Sequence, residues 1–179
     1  MTPRFLLLAL TLSSLLPAAD WKPLFNGKDF SGWEHVGPGR FVIEDGNLKT
    51  EGGMGLLWYK GEKLANCTVR VVFKTVSTPG ANSGVYIRME EPPKDPWYGV
   101  HNGYEVQIDS RGDDWHATGA IYSISKITRR AQKPAGEWNT MEIVANGSHF
   151  KVSLNGVVTV GDGQDSRFAE GPIALQSAG

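Results

Sequence analysis

The sequence predicts an all-β chain folded as one antiparallel two-sheet domain. Three observations carry that prediction. Asn-Gly or Asp-Gly pairs recur at 26–27, 45–46, 102–103, 146–147 and 155–156, and such pairs favour the positive φ angles of tight hairpin turns. Between them lie short runs in which apolar and polar residues alternate. No stretch of the mature chain keeps a 3.6-residue period, and at most one helical turn fits, within residues 163–170. Many short strands with turn signals between them give a sandwich or a barrel.

The first element is a leader. Arg4 precedes an apolar run from residue 5 to about residue 16, followed by Pro17-Ala18-Ala19 and the polar Asp20. This is the pattern of a secretory signal, and the run is too short to span a bilayer. Nothing later resembles a membrane helix. The expectation is an exported protein, periplasmic or extracellular, with residues 1–19 removed and residues 20–179 forming the domain. About 160 residues suffice for one domain with a sizeable core.

Cys67 is the sole cysteine, so no intrachain disulfide can form even in an oxidising compartment. At the start of an apolar strand it reads as a small core residue. The net charge is −1 and Lys and Arg form no runs. That argues against nucleic acid and anionic membrane surfaces as partners.

The strands follow in order. Residues 41–44 and 48–50 flank the Asp45-Gly46 turn. Val69, Val71 and Phe73 alternate with Arg70 and Lys74; Val85 and Ile87 alternate with Tyr86 and Arg88. Met141 and Ile143 point one way, Thr140 and Glu142 the other. Phe150, Val152 and Leu154 alternate with polar residues into Asn155-Gly156, after which residues 157–160 return. Trp33 and Trp138 are expected in the core. Two loops stand out, residues 90–102 with Pro92, Pro93 and Pro96, and residues 110–117. They flank the most informative strand at both ends, where loops on a rigid scaffold commonly build sites.

That strand is Tyr104-Glu105-Val106-Gln107-Ile108-Asp109. Its period of two places Tyr104, Val106 and Ile108 on one face and Glu105, Gln107 and Asp109 on the other. An unbroken acid–amide–acid row backed by aromatic and aliphatic residues suits a ligand rich in hydroxyls. If Val85 and Ile87 face the core, then Gly84, Tyr86 and Arg88 share the face that bears Glu105, and Gly84 leaves room for a ligand. An Arg88–Glu105 cross-strand ion pair is the plainer alternative.

Five segments together resemble one family. They are Trp21-Lys22-Pro23-Leu24-Phe25-Asn26-Gly27-Lys28-Asp29 with Gly32-Trp33; Asn82-Ser83-Gly84-Val85-Tyr86-Ile87-Arg88; Gly103-Tyr104-Glu105-Val106-Gln107-Ile108; Thr118-Gly119-Ala120-Ile121-Tyr122; and Gly136-Glu137-Trp138-Asn139. Their order and spacing are similar to those of the 3-keto-disaccharide hydrolase-like domain family. The resemblance implies a concanavalin-A-like jelly roll, export from a bacterial cell and cleavage of 3-keto-glycosides. It also implies a final strand after the segment like Gly171-Pro172-Ile173-Ala174-Leu175-Gln176. This chain stops at Gly179, so either the sequence is incomplete or a partner element fills the gap.

The chemistry follows from the row. Conventional glycosidases set two carboxyl groups about 5–5.5 Å apart for retention or about 6.5–9.5 Å for inversion. Glu105 and Asp109 should have Cα atoms about 13 Å apart, with Gln107 between them, which suits neither. A ketone at C3 of the sugar changes the demand. It acidifies the C2 hydrogen, so one base can form an enolate that expels the C1 oxygen, and water can add to the enone. Such a route needs a base, a positive or hydrogen-bonding group at the C3 oxygen, and an acid for the leaving group.

The expected catalytic residues are Glu105, Arg88 and His116. His116 precedes the segment 118–122 that reads as a strand, as a His often does in the family, and its unperturbed pKa suits proton transfer near neutrality. Expected substrate contacts are Gln107, Asp109, Tyr86, Tyr122, Asn82, Lys133, Trp97 and Trp115, the aromatic members as stacking surfaces for sugar rings. Tyr98 and Trp58 could stack as well. His101 lies near the site, while His35 and His149 read as structural. No metal or other cofactor is assigned, although Asp109, Asp113 and Asp114 could gather a divalent cation. The partner expected is an oligosaccharide or glycoside. The competing reading is a non-catalytic carbohydrate-binding module on the same fold; a structural adhesion domain would not need this polar face.

Overall fold

Alternation along each strand sorts the side chains into two layers, and the layers meet as expected. The computed structural model describes residues 21–76 and 80–178; the expected leader, residues 1–19, lies outside them. The strands are β1 (Trp33–Val36), β2 (Arg40–Glu44), β3 (Asn47–Glu51), β4 (Gly55–Tyr59), β5 (Cys67–Lys74) and β6 (Asn82–Ile87), then β7 (Tyr104–Asp109), β8 (Trp138–Asn146), β9 (His149–Leu154), β10 (Val157–Gln164) and β11 (Ala174–Ser177). One sheet runs β1-β4-β11-β6-β7, the other β10-β9-β8-β5, and β2-β3 is a separate hairpin. Every pairing is antiparallel. This is the two-sheet jelly-roll sandwich.

The core lies between the sheets. Val85, Ile87, Tyr104, Val106 and Ile108 from one sheet meet Met141, Ile143, Phe150, Val152 and Leu154 from the other. Each such side chain contributes roughly 1.5–3 kcal/mol on burial. The Asn-Gly and Asp-Gly signals act where two-residue turns form: Asp45 and Gly46 have φ of 51° and 75°, and Asn155 and Gly156 have 52° and 80°. Both positive angles belong to the turn that matches strand twist. Cys67 is half-buried against the core, and burial pushes its thiol up.

Four expectations on local structure are corrected. No helical turn forms in 163–170; the helix among the described residues is α1 (Tyr98–His101), inside the Pro-containing loop. Residues 118–122 are not a strand. Gly119 at φ 88° bends that segment, which bonds to the free edge of β7 through Thr118, Gly119, Ala120 and Tyr122. Trp138 is 45% exposed, because the parity that turns Asn139, Met141 and Ile143 inward turns it outward, under the Lys74 ammonium. Trp33 is half-buried, its indole N–H donating to the Leu24 carbonyl at 2.9 Å.

Candidate functional site

The second face of the five-stranded sheet carries the chemistry. The register sets Trp58, Ala174, Tyr86 and Glu105 in one row across four strands. Moving two residues along each strand puts Leu56, Gln176, Gly84 and Gln107 in the next row of the same face. Asn82 opposite Asp109 completes the face. One end is apolar and covered, with Tyr98 and Val100 of α1 packed on Leu56, Trp58, Tyr86 and Met89. Gly99 lies so close over the Tyr86 ring that a Cβ there would overlap it. The other end is polar, walled by the 118–122 segment along β7.

Glu105 sits between these ends and is 5% exposed. Its carboxyl leans over Gly84, where a Cβ would collide with Oε1. The room expected for a ligand at Gly84 is therefore filled by the carboxyl itself. Tyr86 and Gln176 hydrogen-bond it, and Gln176 Nε2 also donates to the Tyr86 hydroxyl at 2.6 Å. Burial raises the Glu105 pKa to about 7, against the pull of those two hydrogen bonds. Taking a carboxylate out of water disfavours its charged form, and two neutral donors only partly restore it. Burial, then the neighbouring Glu105 charge, pushes the Tyr86 hydroxyl up, so it stays protonated.

On the same sheet face, four buried polar atoms lack partners within the protein. They are Gln107 Oε1, Gln176 Oε1, Asn82 Oδ1 and the Trp58 indole nitrogen. Buried polar groups in native folds are overwhelmingly satisfied. Four such atoms share one sheet face with the desolvated acid.

Arg88 is not among them. It follows the last residue of β6 with φ 51°, which reverses the side chain relative to the strand's alternation. Its guanidinium lies over the Phe150 ring inside the sandwich. It donates to Ala65 O at 2.8 Å, Gly147 O at 2.6 Å, Phe168 O at 3.3 Å and Asn66 Oδ1 at 3.4 Å. Arg88 neither joins Glu105 in a site nor pairs with it; it ties three loops over one end of the core.

The remaining expected residues divide. Gln107 is buried at the site and Asn82 half-buried beside it. Tyr86 is fully buried, so it orients the acid and offers no stacking surface, and Trp58 is likewise too buried to stack. Tyr122 is tied to β7 through its backbone N–H on Glu105 O at 2.9 Å. His116 stands beside it, ring centroids 5.3 Å apart, with Nδ1 2.8 Å from Asp113 Oδ1. Trp97 and Trp115 are exposed. Lys133 donates to the Trp138 carbonyl at 3.0 Å.

His35 packs between Phe30 and Phe41, and His149 pairs with Asp162 at the surface. The three acids considered for a cation are engaged separately: Asp109 by Arg111, Asp113 by His116 and Asp114 by Arg130. Among the described residues no group of three or more His, Cys, Asp or Glu could hold a metal ion.

Gln176 is the residue that sequence reasoning missed. Its signal was present in Ala174-Leu175-Gln176, where an inward Leu implies an outward Gln. Nothing local said that this strand would lie between β4 and β6.

Comparison with known proteins now adds a family. A match spans residues 20–179 and is described as the 3-keto-alpha-glucoside-1,2-lyase-like domain. The chain belongs to that family. It is thus a member of a carbohydrate-related group of jelly-roll proteins. A solved structure of a candidate glycosyl hydrolase from Parabacteroides distasonis ATCC 8503 is 21% identical, covers 87% of this chain and 86% of that one, and superposes with a TM-score of 0.70. A second from the same organism is 26% identical over 87% and 90% of the two chains, with a TM-score of 0.64. The carbohydrate binding module CBM66 from Bacillus subtilis is 17% identical over 81% and 86%, with a TM-score of 0.62. Among curated proteins, none matches.

Proposed function

We propose that this chain is an exported enzyme that cleaves 3-keto-glycosides, with Glu105 as the base that removes the C2 proton. The observation that carries the reading is the Glu105 carboxyl. It is desolvated, held by Tyr86 and Gln176, raised to about 7, and it shares its sheet face with unpartnered polar atoms. A base with a pKa near the working pH is both ionised and strong enough to take a carbon-bound proton made acidic by a ketone. Family membership supports a glucoside as substrate, and the two Parabacteroides structures described as candidate glycosyl hydrolases support cleavage of a sugar. The apolar run after Arg4 supports export.

In this reading Glu105 takes the proton from C2, and the C–H electron pair forms an enolate on the C3 oxygen. The enolate collapses back to the ketone as the C1–O bond breaks, leaving a C1–C2 double bond. The proton goes to the departing oxygen from Glu105 or His116, and water can then add at C1. With Arg88 elsewhere, the enolate oxygen would meet a neutral donor, the side-chain amide nitrogen of Gln107, two residues along β7 from Glu105. A preorganised neutral donor in a dry site serves such a charge well. The ketone itself must come from a prior oxidation of the sugar.

The experiment compares the parent protein with Glu105→Gln on one disaccharide, oxidised and unoxidised at C3. Turnover of the oxidised sugar should fall about 10²–10⁴-fold in the variant, with affinity by calorimetry little changed. Sugar binding without turnover in the parent would favour the binding-module reading, which the exposed Trp97 and Trp115 support. Cleavage of the unoxidised sugar alone would overturn the mechanism.

A further inference from the structure

A cleft of about 340 Å³ opens at the Asp109 end of β7. That volume lies at the lower end for small-molecule clefts, which start at about 300 Å³. Asp109, Ser110, Gln132 and Lys133 contribute polar walls, and Ile127 and Pro134 contribute apolar surface. Two of the polar groups have unused capacity: Ser110 Oγ and Gln132 Nε2 are buried without a partner. Gln132 is held in place by its other end, whose Oε1 accepts from Thr118 Oγ1 at 2.6 Å. Lys133 spends one of its three donors on the Trp138 carbonyl. The Asp109 carboxylate is fixed by the Arg111 backbone N–H at 2.7 Å.

We propose that this cleft is the subsite for the leaving-group sugar ring, resting on the reading of Glu105 as the reacting centre. Two arguments select that occupant. A carboxylate, a hydroxyl, an amide donor and an ammonium side by side match vicinal hydroxyls, each of which both donates and accepts. Asp109 is paired with Arg111, and Arg130, which also lines the cleft, with Asp114, so the chain itself compensates those charges; an apolar aglycone would leave Ser110 and Gln132 unsatisfied. The second argument is position. Asp109 lies four residues beyond Glu105 on β7, a separation of about 13 Å, with Gln107 midway. Two linked pyranose rings cover that span, one reacting at Glu105 and the other in the cleft.

The test uses the full chain and two 3-keto-glucosides, one with a hexosyl leaving group and one with a methoxyl. Gln132→Ala should raise KM for the disaccharide about tenfold more than for the methyl glycoside, the loss of one or two hydrogen bonds. Ser110→Ala, which removes a single oxygen, should shift the same ratio about threefold and guards against misfolding of the first variant. Equal changes for both substrates, or none, overturn the subsite. If neither sugar is cleaved, the Glu105 reading fails and calorimetry decides this one separately. Tighter binding of an unoxidised disaccharide than of its monosaccharide, lost in Gln132→Ala, supports the subsite. Equal affinity in the parent protein overturns it.

Discussion

Glu105 and Arg88 are two buried ionisable groups on neighbouring strands, expected to share a site, and the fold uses them in opposite ways. Arg88 is 2% exposed and its donors are taken by backbone carbonyls and one amide. Glu105 is 5% exposed, has Tyr86 and Gln176 as partners, and shares its sheet face with buried polar atoms that have none. A charge whose hydrogen bonds are used up by the chain serves the chain. One left half-satisfied, with its pKa displaced, is poised to act on something else.

The largest effect should come from removing the satisfied charge. Arg88→Met leaves the Ala65, Gly147 and Phe168 carbonyls without its donors, while Asn66 Oδ1 keeps the Gly147 N–H; each orphaned group costs about 1–3 kcal/mol. Urea denaturation should show a loss of about 3 kcal/mol or more, while the folded fraction keeps its turnover number. Full stability with abolished turnover would reverse the comparison.

Glu105→Gln should sharpen it from the other side. The folded pKa of about 7 lies above the value near 4.3 of an unfolded Glu. The folded state therefore binds the proton more tightly, and the parent loses stability as pH rises from about 4.3 to about 7. The loss is complete above that window and on the order of 3 kcal/mol. The Gln variant lacks this penalty, so its advantage in urea midpoint should be small at pH 4 and largest at pH 8. A pH-independent difference would mean that the carboxyl is not held protonated by burial.

The smallest effect on stability belongs to Gly84→Ala. A Cβ at that position collides with the Glu105 carboxyl, which can swing aside, so the expected cost is about 1 kcal/mol. Swinging aside breaks its contacts with Tyr86 and Gln176. Those two hydrogen bonds hold the pKa down against burial, so their loss should move the Glu105 titration, read by NMR, above about 7. An unmoved titration would show that the hollow over Gly84 does not hold the acid.

Much of the site was legible because a strand has a period of two. The row of Glu105, Gln107 and Asp109 follows from Tyr104, Val106 and Ile108 alone, and so does the shared face with Tyr86 and Gly84. Arg88 shows where that reasoning stops. It holds only while the backbone stays extended, and at φ 51° Arg88, just past the end of β6, sends its own side chain to the opposite layer. Residues 118–122 carry strand-like composition yet form an irregular border, because Gly119 turns the chain before a ladder can build. Trp138 was legible and misread: its parity with Thr140 and Glu142 already faced it outward.

By itself the sequence determined the all-β class, the positions of the two-residue turns and which side chains share a face within each strand. Those properties depend on local dihedral preference and on burying one side of a pleat. The tertiary structure decided which strands became neighbours. It inserted β11, from near the end of the described chain, between β4 and β6. That placement brought Gln176 against Tyr86 and Glu105, and α1 and the 118–122 segment sealed the face. The displaced pKa of Glu105 arises from that enclosure, since desolvation depends on everything that packs around a group and not on the residues beside it in the chain.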